Sequence, residues 1–186
     1  MGSKNKLKRF RENETFANVI QPTREELVGD FDLKGKWSEQ FFKNSNPLVL
    51  ELGCGKGEYT VALAKQNPDK NFIGIDIKGA RFWRGAKTAI EVGLSNVAFI
   101  RTQIELVDLV FAAGEVSVMH LKTDSEFMHG YTLGLLHGEG HEVLYAHHDV
   151  YKNYYSPQEV IGIQTFYEKQ YLEENKKITY IKFKIK

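Results

Sequence analysis

The sequence predicts an α/β domain: a mostly parallel twisted sheet with helices on both faces. Two stretches carry the prediction. Leu48-Val49-Leu50-Glu51-Leu52-Gly53-Cys54-Gly55-Lys56-Gly57 reads as a buried strand running into a glycine turn. Phe72-Ile73-Gly74-Ile75-Asp76 reads as a second buried strand ending in an acid, nineteen residues after Gly57. Between them, Glu58 to Gln66 suits a helix. Strand, glycine turn, helix, strand, acid is the outline of a nucleotide-binding βαβ unit. Glycine lets the backbone turn sharply and lets a ligand lie against it. Asp76 is placed to accept hydrogen bonds from a ribose. A purely structural βα turn has the same outline and stays open at this point.

Composition bounds the rest. A length of 186 residues suits one domain, and 42% apolar with 26% charged residues suits a globular protein with a real core. No run reaches membrane-spanning length and no apolar N-terminal segment suggests a secretory signal, so the expectation is a cytoplasmic protein with no membrane partner. The single Cys54 has no cysteine partner, which fits that setting, and no histidine neighbours it to make a catalytic thiol. The net charge of +1 requires any nucleic-acid footprint to be local.

Residues 1 to 47 show no long periodic pattern. Lys4, Lys6, Lys8, Arg9 and Arg11 cluster there, a basic N-terminal arm over about 1–16. It reads either as a solvated, mobile tail, beginning with a cloning remnant in Met1-Gly2-Ser3, or as an arm that neutralises phosphates. Leu33, Trp37, Phe41 and Phe42 stand near helical spacing. Ala80, Trp83, Ala86 and Ala89 predict a second crossover helix, closed by Gly93, with Lys78, Arg81, Arg84 and Lys87 on a neighbouring face that reads either as solvated or as a contribution to RNA binding.

Further strands are expected at 97–100, 116–121, 143–146 and 178–185, and helices at 104–111, from Glu126 to about Leu136, and within 160–172. Gln103 and Asp124 follow strand ends, where open α/β sheets place ligands. Asp124 also suits a helix N-cap. His147-His148-Asp149 lacks zinc-site spacing, so no metal is expected.

Four stretches together carry a resemblance: Glu51-Leu52-Gly53-Cys54-Gly55-Lys56-Gly57, Phe72-Ile73-Gly74-Ile75-Asp76, His120-Leu121-Lys122-Thr123-Asp124, and Thr165-Phe166-Tyr167-Glu168 ahead of the final strand. The first looks like the S-adenosylmethionine loop of class I methyltransferases. The combination resembles the bacterial tRNA (guanine-N7)-methyltransferases, over nearly the whole chain. The resemblance implies a single Rossmann-like methyltransferase domain over 1–186, S-adenosylmethionine as cofactor and tRNA as partner. It gives no oligomeric state beyond monomer or homodimer. Glu51, Gly53, Gly55 and Gly57 would hold the methionine end, Asp76 the ribose, and Gln103 would stand beside the adenine. Asp124, Thr165 and Glu168 would line the guanine site. Family members often carry Glu at the Asp76 position and Asp at the Gln103 position. The turn also lacks the Gly-x-Gly-x-x-Gly spacing of a nicotinamide dinucleotide site, and Glu51 would repel a pyrophosphate.

One departure is large. Between Val118 and Met119 the family has a Phe-Pro-Asp-Pro type motif, a basic loop, a helix and the start of a fifth strand. None of this occurs here, where the prolines are Pro22, Pro47, Pro68 and Pro157. The family's methyl-site acid goes with that segment, leaving the catalytic group unknown and Asp124 as the candidate. The expectation is therefore an enzyme that methylates guanine N7 in tRNA, with a catalytically impaired tRNA- or cofactor-binding remnant as the alternative.

Overall fold

Strands β1 (Val19–Ile20), β2 (Leu48–Leu52), β3 (Asn71–Ile75), β4 (Val97–Ile100), β5 (Val116–Thr123), β6 (Glu142–His147) and β7 (Thr179–Lys184) form one sheet in the order β1-β4-β3-β2-β5-β7-β6. The structure is a computed structural model describing the backbone of residues 2–185 and the side chains of 5–185. Met1 and the side chain of Lys4, both named in the sequence expectations, lie outside the described residues. Strands β1 to β5 pair in parallel, and β7 runs antiparallel to β5 and β6. No helix among the described residues is long and apolar enough to cross a membrane.

The period of two along each central strand divides the core. Leu48, Leu50, Ile73, Ile75, Ala98 and Ile100 face one layer, with Trp37, Val110, Phe111 and Leu136. Val49, Phe72, Val97 and Phe99 face the other, with Tyr59, Leu63, Phe82 and Ala86. Both faces are covered, so β2, β3 and β4 are buried at every position and read as continuous apolar runs. Each fully buried large side chain contributes about 1.5–3 kcal/mol.

Helices α3 (Glu58–Gln66) and α4 (Gly79–Glu91) match the predicted crossovers. Other elements differ from the sequence expectations. The N-terminal segment is no tail: it forms α1 (Gly2–Asn13), packed on α4. Its anchors are polar, so they left no apolar period. The Asn13 amide donates to the Gly79 carbonyl (3.0 Å), Glu12 accepts from the Trp83 indole (2.6 Å), and the Arg9 guanidinium lies 4.9 Å from the Trp83 ring. Next, α2 (Arg24–Val28) starts at a Thr23–Glu26 capping box that the sequence reading passed over. Residues 37–42 form a single wide π-type turn, and 104–111 divide into a 3₁₀ turn and the short α5 (Val107–Val110). Finally, 160–172 is two helices, α7 (Gln158–Ile161) and α8 (Phe166–Glu173), divided because Thr165 caps a new start. Helix α6 (Glu126–Gly138) lies between β5 and β6.

Strand β5 runs unbroken through the 118–119 junction. Val118 pairs with Val49 and Met119 with Leu50 in one register, after a shift beyond Val116. From Met119 onward β5 also pairs with β7. One strand thus fills the place between β2 and β7.

Candidate active site

Strand β2 delivers Glu51 to the C-terminal edge of the sheet, and the turn after it is built from glycines in the left-handed region: Gly53 (φ 72°), Gly55 (φ 57°) and Gly57 (φ 74°). Their roles differ. A Cβ on Gly53 or Gly55 would meet only ordinary contacts, Ile104 at 3.8 Å and Tyr167 at 4.0 Å, so the positive φ rather than crowding calls for glycine there. On Gly57 it would come within 2.5 Å of the Phe99 ring, and Gly85 of α4 sits close by. Gly57 therefore closes the turn onto α4 and is outside the cavity lining, although spacing grouped it with the other two.

The turn opens on a cavity of about 430 Å³, lined by Glu51, Gly53, Gly55, Asp76, Gln103, Asp124, Thr165 and Glu168 among others. Eight of the nine expected site residues thus converge. Glu51 is buried, and the Thr60 hydroxyl of α3 donates to it. Burial raises its carboxyl to about 8, partly opposed by that hydrogen bond. Asp76, at the end of β3, accepts from the Gly55 amide (3.0 Å) and the Lys78 amide (2.7 Å), pinning the glycine turn to the β3–α4 turn. Gln103 is exposed at the rim after β4. Burial pushes the Cys54 thiol well up, leaving it un-ionised.

On the far side, Ser125 caps α6 through the Met128 amide, so Asp124 is not the N-cap. Thr165 and Glu168 form the capping box of α8 (Glu168 accepts from the Thr165 amide at 2.9 Å). Glu168 also accepts from the Tyr151 hydroxyl (2.9 Å) and pairs with Lys122 (2.7 Å), both members of the ion pair being almost fully buried. Lys122 donates further to the carbonyls of Val160 (2.6 Å) and Ile163 (2.9 Å). Burial lowers the Lys122 ammonium, while Glu168 beside it holds it up. Lys122 thereby ties β5 to α7 and α8 under the cavity.

The sequence reading assigned no role to Lys122, Thr60, Lys56 or Tyr167, and gave Arg81 only a place on a basic helix face. A lysine inside an apolar strand was a signal, since a buried ammonium requires a carboxylate. Lys56 and Arg81 edge the cavity, with Lys56 3.1 Å from the Phe166 ring centre and Arg81 5.2 Å from that of Tyr167.

Comparison with known proteins agrees with this geometry. A family model described as "Putative methyltransferase" matches residues 45–122. The tRNA (guanine-N(7)-)-methyltransferase of Christiangramia forsetii is 67% identical over 224 aligned positions that cover 100% of both chains. That of Bacteroides fragilis is 41% identical over 97% of this chain and 85% of its own. The crystal structure of the 16S rRNA methyltransferase KamB superposes with a TM-score of 0.56 over 79% of this chain and 91% of its own, a likeness of fold at 15% identity. The alignment with the C. forsetii protein is longer than this chain of 186 residues, so that relative carries residues with no counterpart here. On the strength of those two relatives, matched across almost the whole chain, this protein belongs to the tRNA (guanine-N7)-methyltransferase family.

Proposed function

We propose that this chain transfers a methyl group from S-adenosylmethionine to N7 of a guanine in tRNA. The observation that carries the reading is one cavity joining the Glu51, Gly53, Gly55 and Asp76 corner to Asp124, Thr165 and Glu168. The corner fits the cofactor. The two glycines bring bare backbone to the cavity wall, and the buried Glu51 carboxyl matches an ammonium. The Asp76 oxygens each hold one amide and keep lone pairs for ribose hydroxyls. Gln103, exposed at the rim, would be available to the adenine.

When bound, the cofactor supplies an electrophilic methyl group on a positive sulfur. Guanine N7 already has an in-plane lone pair, so no proton need be removed before attack. No histidine lines the cavity among the described residues, and buried His120 is held down at about 4 with its Nδ1 on the Tyr180 hydroxyl (2.7 Å). What the protein supplies is alignment and exclusion of water. Methylation makes the purine ring cationic, and Asp124 at the cavity wall stabilises that charge as it develops. Thr165 and Glu168 shape the opposite wall.

The test uses two tRNA transcripts, one with guanine and one with 7-deazaguanine throughout. Nucleoside mass spectrometry should show 7-methylguanosine in the first and no methylation in the second. Methylation of both, or at another atom, refutes the position. Binding of both ligands without product refutes the activity.

A further inference from the structure

Helix α1 and helix α4 place their cations on one surface. Arg9 lies 4.9 Å from the Trp83 ring centre, Arg84 5.1 Å and Lys87 5.2 Å, so cations of both helices gather on a single indole. None of the three has a carboxylate within ion-pair distance among the described residues. The nearby acid, Glu12, is held by the Trp83 indole N–H. Next to α1 a cleft opens, lined by Lys6, Arg9, Arg81 and Arg101 with Phe10 among them. Gly79 makes the fit of α1 possible, since a Cβ there would come within 3.0 Å of Arg101 and 3.3 Å of Phe10.

Like charges held side by side without carboxylates are costly in water and costlier near an apolar body. At the cavity edge burial lowers the Lys56 ammonium, Glu58 opposes this, and Arg9 and Arg84 are close enough to add to the lowering. A repeating anion relieves such an arrangement. Arg9 donates one N–H to the Ala80 carbonyl (3.4 Å), and both guanidinium groups beside the indole have further N–H donors for phosphate oxygens. The surface also leads somewhere, because Arg81 lines both the cleft and the proposed active-site cavity.

We propose that the α1–α4 face, centred on Arg9, Arg84 and Lys87 over Trp83, is the surface on which the RNA backbone docks to bring a guanine to the cavity. The proposal rests on the tRNA reading above. It joins two sequence expectations, a phosphate-neutralising arm and a basic face on α4, into one surface shared by two packed helices. A membrane is the other polyanion of note, but Trp83 is only 9% exposed and has no ring to insert.

The test is the double variant Arg84→Gln/Lys87→Gln and the single Arg9→Gln, compared with wild type in the full chain. Both altered α4 side chains lie off its buried side, so thermal midpoint and S-adenosylhomocysteine affinity should hold. Binding of tRNA across a salt series should weaken, and the slope of log K against log salt should flatten by about 0.7 to 0.9 for each phosphate no longer neutralised. Unchanged affinity and slope in both variants overturns the proposal. So does wild-type binding to anionic phosphatidylserine vesicles as tight as to tRNA. A wild type that binds no tRNA instead overturns the functional reading beneath it, a distinct result.

Discussion

Helices α4 and α6 are both thirteen residues long, and both cross over the same sheet. Their treatment is opposite. Helix α4 buries Phe82, Trp83, Gly85, Ala86 and Ala89, between α3 and α1. Helix α6 buries only His129 and Leu136, and leaves Phe127 81% and Tyr131 60% exposed. Its glycines Gly130, Gly134 and Gly138 have open space where a Cβ would stand. The α4 half is held by interdigitated apolar side chains. Under the cavity, a buried ion pair of Lys122 and Glu168 ties β5 to α8. Relatives of this chain carry residues it lacks.

The largest expected effect tests the polar anchor. Lys122→Met keeps the length of the stem but leaves Glu168 buried without its cation, which costs about 3–5 kcal/mol. Urea denaturation measures it. Because Glu168 caps α8 and holds Tyr151, removing the cation should also loosen the cavity wall, seen as faster amide exchange in 165–173. A destabilisation below about 1 kcal/mol would mean that the pair only replaces apolar packing of equal worth.

The apolar half has its own breaking point. Gly85→Ala puts a Cβ 2.8 Å from the Lys56 carbonyl and 2.9 Å from the Gly57 Cα, both backbone atoms that cannot swing away. Overpacking of this kind costs about 1–3 kcal/mol. It should displace the glycine turn as well, lowering cofactor affinity. Stability and S-adenosylhomocysteine calorimetry on the same variant separate the two effects.

The third effect is on pH. Glu51 is protonated in the ligand-free protein below about 8, whereas an unfolded glutamate ionises near 4.5. Its folded value is raised, so between those limits the folded state binds the extra proton and stability falls as pH rises. An ammonium placed against Glu51 favours the ionised form. Ligand affinity should therefore rise with pH up to about 8, by at most about tenfold per unit, with a proton released on binding below that point. Glu51→Gln should flatten the profile. Calorimetry in buffers of different ionisation enthalpy counts the proton. An affinity flat from pH 6 to 8 in the wild type would remove Glu51 from the ammonium site.

Legibility followed the same divide. The β2–α3–β3–α4–β4 stretch was read correctly because burial on both faces makes its strands uniformly apolar and its turns glycine-marked. Glu51, Asp76, Gln103, Asp124, Thr165 and Glu168 all line the cavity, since strand ends and one helix start bring them to the same edge. Three features were hidden for physical reasons. Helix α1 docks through Arg9, Glu12 and Asn13, whose polar partners lie on α4, so no apolar period marks it. Gly57 shares the spacing of a cradle but serves close packing with Phe99 and Gly85, which only the fold brings near. The Lys122–Glu168 pair joins residues far apart in the chain, and a capping box reads the same whether or not its acid also binds a cation.

The smallest effect has the opposite sign and tests the comparison most directly. Gly134 is in the middle of α6 with helical backbone and nothing within 4 Å of where a Cβ would stand. Alanine there keeps the helix, adds no clash and removes freedom from the unfolded chain. Gly134→Ala should therefore stabilise by about 0.5–1 kcal/mol, where the same substitution at Gly85 destabilises. The two variants, measured side by side in urea, turn the contrast between the helices into a difference in sign. A drop in stability at Gly134, or a change in the midpoint with protein concentration, would mean that the α6 face is covered in solution by something needing close approach to its backbone. In that case the exposed Phe127 and Tyr131 would belong to an interface, and the two helices would be treated alike after all.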